Sequence, residues 1–169
     1  GDGLGKLLEF TRVFRGEETM SRAKTLAISL FCVLLFSNIA LAQQYGSAQQ
    51  ARTMLERAVM ALRKDRATAL AAFNKGTDGF RDRDLYVFCN SRDGTSLAHA
   101  NPAMLGGNLN ELKDANGKAF GKEIMSSAKE GQITSVSYAF PRPGETQPVA
   151  KDSYITRIGD LVCGVGYYK

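Results

Sequence analysis

Polar and apolar positions change period several times between residues 43 and 169, and each change marks an element. Ala51, Leu55, Ala58, Val59 and Leu62 recur at helical spacing, with Arg52, Glu56, Arg57, Arg63 and Lys64 on the other face, so the first element reads as an amphipathic helix. Asp65 then stands as the N-cap of a second, short helix over 67–73. Asn74-Lys75-Gly76 stops that helix. A charged loop follows, in which Phe80 is expected to tuck inward between charged neighbours. Leu85, Tyr86, Val87, Phe88 and Cys89 suit a half-covered pleated surface and predict a strand. Arg92-Asp93-Gly94-Thr95 supplies a hairpin turn, because Asp-Gly tolerates the positive φ such a turn needs. The return strand, 96–100, carries His99 to a strand end just before Asn101-Pro102.

Beyond the hairpin the pattern is first irregular and then strictly alternating. Met104 and Leu105 are expected to plug the core from a turn-rich connection, and 108–112 reads as one helical turn. A helix over 119–130 points Phe120 and Ile124 inward, with Gly131 as its C-cap. Thr134, Val136, Tyr138 and Phe140 alternate with more polar residues, which is period two, and should face the core of a strand over 133–140. Two further strands are predicted at 149–158 and 161–168, joined by a tight turn at Gly159-Asp160. Gly164 and Gly166 fall on one face of the last strand, so something large approaches there: a helix, a neighbouring aromatic ring or a ligand. Helix, hairpin, helices and then three strands make an α+β class with an antiparallel sheet.

The N-terminal stretch has a different character. Met20-Ser21-Arg22-Ala23-Lys24 is basic, residues 25–39 are apolar, and Ala40-Leu41-Ala42 offers small residues at the −3 and −1 positions. This is the arrangement of a secretory signal peptide over 20–42, cleaved after Ala42. The apolar run falls short of the roughly 20 residues that span a bilayer. Residues 1–19, upstream of that methionine, read as a start-site misassignment or vector sequence. The domain is therefore expected at 43–169, in the periplasm or secreted.

Charge, cysteine and histidine content narrow the function classes. The net charge is +5, with signs alternating along the chain, which describes a solvated surface rather than a nucleic-acid patch and leaves a mild attraction for small anions. Of three cysteines, Cys32 lies in the apolar run, and Cys89 and Cys163 lie in strand-like runs. In an oxidising compartment an even pair favours a disulfide, the alternative being two separate buried thiols. With one histidine and no ligand spacing, neither a metal site nor a cofactor is expected. No serine has a histidine at motif spacing, no paired carboxylates stand out and Gly106-Gly107 reads as a turn, so an enzyme is not expected.

Several motifs then carry a family resemblance. Leu85-Tyr86-Val87-Phe88, Asp93-Gly94, Leu97-Ala98-His99, Asn108-Leu109, Asp114 with Gly117-Lys118, Lys151-x-Ser153-Tyr154 and Gly164-Val165-Gly166 resemble, in order and spacing, the single Cache domain of bacterial sensors. The resemblance covers about 48–169. It implies a PAS-like fold, in which a long N-terminal helix packs across a central antiparallel sheet of about five strands. It also implies a pocket between the sheet and the helices and loops on one face, filled in relatives by acetate, propionate, lactate or pyruvate. First and last strands would be neighbours, which would set Cys89 beside Cys163. Most relatives are parts of chemoreceptors, kinases or cyclases, whereas this sequence stops at Lys169, so a free-standing exported version with a membrane sensor partner is expected.

The candidate ligand residues are Tyr86, Phe88, His99, Lys118, Tyr138, Lys151 and Tyr154. A carboxylate needs charge-assisted donors, and His99 and Lys151 supply them. Alternation sets Lys151 and Ser153 on one face and Tyr154 on the other, and Tyr154 is ranked the stronger inward donor. Tyr86, Phe88 and Tyr138 form the apolar wall, and Lys118 covers the mouth. The competing reading is a membrane-anchored or dimeric interaction protein, joined through the helix at 47–64, with its pocket closed by core side chains.

Overall fold

A computed structural model describes residues 44–169, which form one compact unit. The predicted signal segment and the stretch before it lie outside the described residues. Among the described residues no helix is long and apolar enough to cross a membrane.

Helix α1 spans Ala48–Lys64 and starts earlier than its apolar stripe suggests. Ser47 accepts from the Gln50 amide while the Gln50 side chain accepts from the Ser47 amide, a capping box that satisfies two end donors. Helix α2, Arg66–Lys75, opens on Asp65, whose carboxylate accepts from the Thr68 amide, and closes on Gly76 at φ +69°. The Asp65 cap matches the sequence reading, and the helix runs on past 73 through Asn74 and Lys75 to stop at Gly76. Strands β1 (Arg81–Asp82), β2 (Leu85–Ser91) and β3 (Ser96–Ala98) follow. Short 3-10 turns at Pro102–Met104 and Leu109–Glu111 lead to helix α3, Phe120–Ser127, and to strands β4 (Thr134–Pro141), β5 (Pro148–Ile158) and β6 (Leu161–Tyr168).

Several boundaries move by a residue or two, β3 ending at Ala98 rather than 100 so that His99 lies just past it, and two differences have a structural cause. The loop before the hairpin contains the two-residue strand β1, paired with the start of β2. Helix α3 ends at Ser127 rather than 130, because Lys129 and Glu130 leave the helix for bridges to Gln132 and Arg157. Gly131, at φ +67°, turns that bridge instead of capping the helix.

The sheet runs in the order β1-β2-β6-β5-β4, with β3 on the outer edge of β2. Alternation along β2 and β6 sorts the core into two layers. Leu85, Val87, Cys89, Leu161, Cys163 and Val165 face α1 and α2. Tyr86, Phe88, Val136, Tyr138, Ile155 and Val162 face α3 and the 3-10 turns. Cys89 lies directly opposite Cys163, and the two form a disulfide across the central strand pair.

The large neighbours expected at Gly164 and Gly166 are side chains of this protein. A Cβ on Gly164 would overlap the Phe88 ring, and one on Gly166 would overlap the aliphatic stem of Lys151.

Cys89→Ala with Cys163→Ala should lower unfolding free energy by about 2–4 kcal/mol, because the bridge closes a long loop of the unfolded chain. Urea titrations of the oxidised and doubly substituted proteins measure this.

Candidate functional site

Because β2 alternates, Tyr86, Phe88 and Asn90 stand in a row on the sheet face away from α1. The hairpin folds His99 back beside Tyr86, their ring centroids 5.0 Å apart. The His99 backbone N–H donates to Asn74 Oδ1, which ties the end of β3 to α2. Phe120 of α3 stacks on Tyr138 of β4, 4.3 Å between centroids, and closes the opposite wall. Between these walls lies a cavity of about 270 Å³. A second cavity, of about 480 Å³, shares Tyr86, His99 and Phe140 and opens toward Arg142.

Lys151 is the most unusual group. It is 1 % exposed, and its Nζ donates to Tyr86 Oη at 2.8 Å. The ammonium lies 4.3 Å from the Tyr86 ring centroid, 4.8 Å from that of Tyr168 and 5.2 Å from that of Phe140. Aromatic faces stabilise the charged form, and so does the nearby Asp84 carboxylate. Burial is the larger influence and pushes the pKa down to about 7. Asp84 is itself tied down, accepting from the Gly46 amide at 2.7 Å and pairing with Arg142 at 3.6 Å.

His99 is neutral in this setting. Burial first, and the charge of Lys151 second, push its pKa down to about 4. Its Nδ1 accepts from the Asn101 amide at 2.9 Å, which places the ring proton on Nε2 as a donor. The Tyr86 hydroxyl, backed by Lys151, is the second donor group at this end of the cavity. Burial also pushes the Tyr86 and Tyr138 phenols well above the ordinary value, so both stay protonated and able to donate.

The structure brings together five of the seven residues expected from sequence: Tyr86, Phe88, His99 and Tyr138 line the cavity, and Lys151 stands directly behind Tyr86. Two are elsewhere. Tyr154 points to the helix side of the sheet, packed by Tyr167 at 5.7 Å and by the Arg52 guanidinium at 6.0 Å. Regular alternation along β5, with no bulge, corrects its ranking above Lys151. Lys118 does not cover the mouth. Its Nζ donates to the Ser137 carbonyl and pairs with Glu123 at 2.8 Å. Asp114 accepts from the Ala139 amide on the same strand, so the two side chains cap the free edge of β4.

Three contributors went unread in the sequence: Asn90, Ser96 and the Asp84–Arg142 pair. A signal existed for Asn90, which is the next inward position after Tyr86 and Phe88. No local pattern marks Arg142, since it reaches the site from the β4–β5 loop.

A depressed lysine pKa has a definite sign for stability. Between about pH 7 and the ordinary value near 10.5 the unfolded chain holds a proton on Lys151 that the native state has released. Stability therefore rises with pH across that window, and the full penalty is present below it. Lys151→Met should remove this dependence, leaving the difference in unfolding free energy from the parent largest at pH 6 and smallest near pH 10. Likewise His99, depressed to about 4, costs stability as pH falls below its ordinary 6.5. Denaturant titrations at stepped pH measure both.

Known proteins share this framework. The single Cache domain 2 family matches residues 40–168. Over 75 residues, 44% of the chain, the sequence is 35% identical to the methyl-accepting chemotaxis protein McpP of Pseudomonas putida, and the chain covers 14% of that relative's length. In structure it is similar to a methyl-accepting chemotaxis protein from Vibrio parahaemolyticus, with a TM-score of 0.60, 21% identity, and coverage of 71% of this chain and 86% of that one. A periplasmic sensor domain of a chemotaxis protein matches with a TM-score of 0.56 and 27% identity over 71% of this chain and 88% of that one. A third structure, described as "Structural basis for carboxylic acid recognition by a Cache chemosensory domain", matches with a TM-score of 0.53 and 23% identity over 89% of this chain and 97% of that one. With the family model matching nearly all the described residues, this chain belongs to the single Cache domain 2 family.

Proposed function

We propose that residues 44–169 form a periplasmic sensor domain that binds a short organic anion reversibly, without catalysis. The observation that carries this reading is the buried Lys151 ammonium bonded to Tyr86 beside the neutral His99, at one end of a largely apolar cavity. A carboxylate placed there accepts from His99 Nε2–H and from the Tyr86 hydroxyl, while Lys151 behind Tyr86 supplies the opposite charge. Acetate, propionate, lactate and pyruvate fit that chemistry. The structure described as carboxylic acid recognition by a Cache chemosensory domain supports the ligand class, and the chemotaxis relative supports the sensor role. A membrane receptor is the fitting signalling partner. The outer face of α1, where Met60 is 62 % exposed, is the surface for a homodimer.

Thermal melts of the full chain against two- to six-carbon carboxylates, amines and amino acids test the reading. A carboxylate at 100 times its Kd should stabilise the fold by about 2.7 kcal/mol. Lys151→Met and His99→Ala should lose that shift, and a shift retained in both would overturn the assignment. Anion binding should weaken as pH rises above about 7, where Lys151 loses its proton, and binding at pH 8 should take up a proton. Titration calorimetry in buffers of different ionisation enthalpy measures that uptake.

A further inference from the structure

The cavity has a second polar end. Asn90 is 3 % exposed and Ser96 is 9 % exposed, and both line the cavity. They are direct cross-strand partners, brought opposite one another by the bulge between β2 and β3. Neither side chain has a hydrogen-bond partner among the described residues. An amide and a hydroxyl side by side, facing the cavity with no protein partner, mark a site for a hydrogen-bonding group.

That end is remote from the Lys151 end. Asn90 lies four residues from Tyr86 on the same face of β2, roughly 13 Å at the Cα atoms, with Phe88 between them. Hydrogen bonds of about 2.8 Å at each end leave roughly 7 Å for the ligand itself. The cavity of about 270 Å³ holds the liquid volume of about nine waters, more than a two-carbon acid fills. No lysine or arginine is among the described residues lining it, and Glu111 is. A second carboxylate therefore finds no cation here.

We propose that Asn90 and Ser96 form a second recognition pole, which selects a neutral donor-acceptor group, a hydroxyl or carboxamide, on the end of the ligand remote from its carboxylate. Each partner side chain both donates and accepts, as such a group does. Rows of apolar side chains between the poles suit a short methylene chain. The sensor is thus tuned to an ω-hydroxylated or ω-amidated short acid over the bare fatty acid of equal length. This inference rests on the proposed carboxylate reading.

Matched ligands test it. Titration calorimetry of the full chain with valerate, δ-hydroxyvalerate and δ-aminovalerate, together with the butyrate and caproate counterparts, reads the affinity of each pair. The hydroxy acid of the fitting length should bind about tenfold more tightly than its parent acid. Asn90→Leu and Ser96→Ala should erase that preference while parent-acid binding persists. Asn90→Leu should also melt at or above the parent temperature without ligand, since it removes an unpaired buried amide of similar size. A lower melting point with an intact hydroxyl preference would make Asn90 structural and overturn the proposal. Preference for the amino acid would assign the pole to Glu111 instead. Parent acids binding in a Lys151-dependent way, with no gain from the hydroxyl, would sink the second pole and leave the carboxylate site standing. No binding by any acid would sink both.

Discussion

Pairing of β2 with β6 at the centre of the sheet is the constraint on which the rest depends. Both strands are buried on both faces, so each inward and outward position is committed to a different layer. A slip of one residue would exchange the layers, sending Tyr86 and Phe88 under the helices and Val87 and Cys89 into the cavity wall. The disulfide lies across this pair and holds its register. Gly164 and Gly166 belong to the same arrangement. Their missing side chains leave the volume that the Phe88 ring and the Lys151 stem occupy, so the last strand is shaped around the first strand's aromatic row and the neighbouring strand's cation.

Burying Lys151 is the conspicuous expense in an otherwise conventional core. An ammonium removed from water is unfavourable unless it is paired and solvated by the protein. Here one phenol oxygen, three aromatic faces and a carboxylate at longer range replace the water. On the proposed reading, such partial compensation leaves the charge available to an anion. Asn90 and Ser96 follow the same logic with neutral groups. In both places polar groups face or back the cavity, and the surrounding layers of Leu, Val and Phe carry the fold.

Elsewhere the polar side chains are spent on closing the structure. Asp114 accepts three backbone amides, from Asn116, Lys118 and Ala139, and thereby joins the loop before α3 to the exposed edge of β4. Lys118 adds a bond to the next outward carbonyl of that edge. Together they protect a free strand edge from further pairing and fix α3, whose Phe120 closes the cavity. A lysine near a pocket mouth looks in sequence like a ligand group, and only its neighbours show that it is an edge cap.

Local rules make much of this legible in the sequence. Asp65 marks a helix start, Gly76 a helix stop and Asp93-Gly94 a turn because each acts within a few residues of itself. Period-two alternation also placed Tyr86, Phe88 and Tyr138 on one face, and separated Lys151 from Tyr154. What alternation could not say is which face holds the cavity, since that depends on where α1 and α3 pack. For that reason alternation alone does not decide between Tyr154 and Lys151, nor mark Asn90 as the third member of an inward row. The reach of Arg142 from a loop to Asp84 crosses a long sequence separation and leaves no local trace. The sequence by itself determined the elements, the alternating faces and the family. The tertiary structure decided which face became the cavity and which polar side chains line it, because burial is set by contacts between segments distant in the chain.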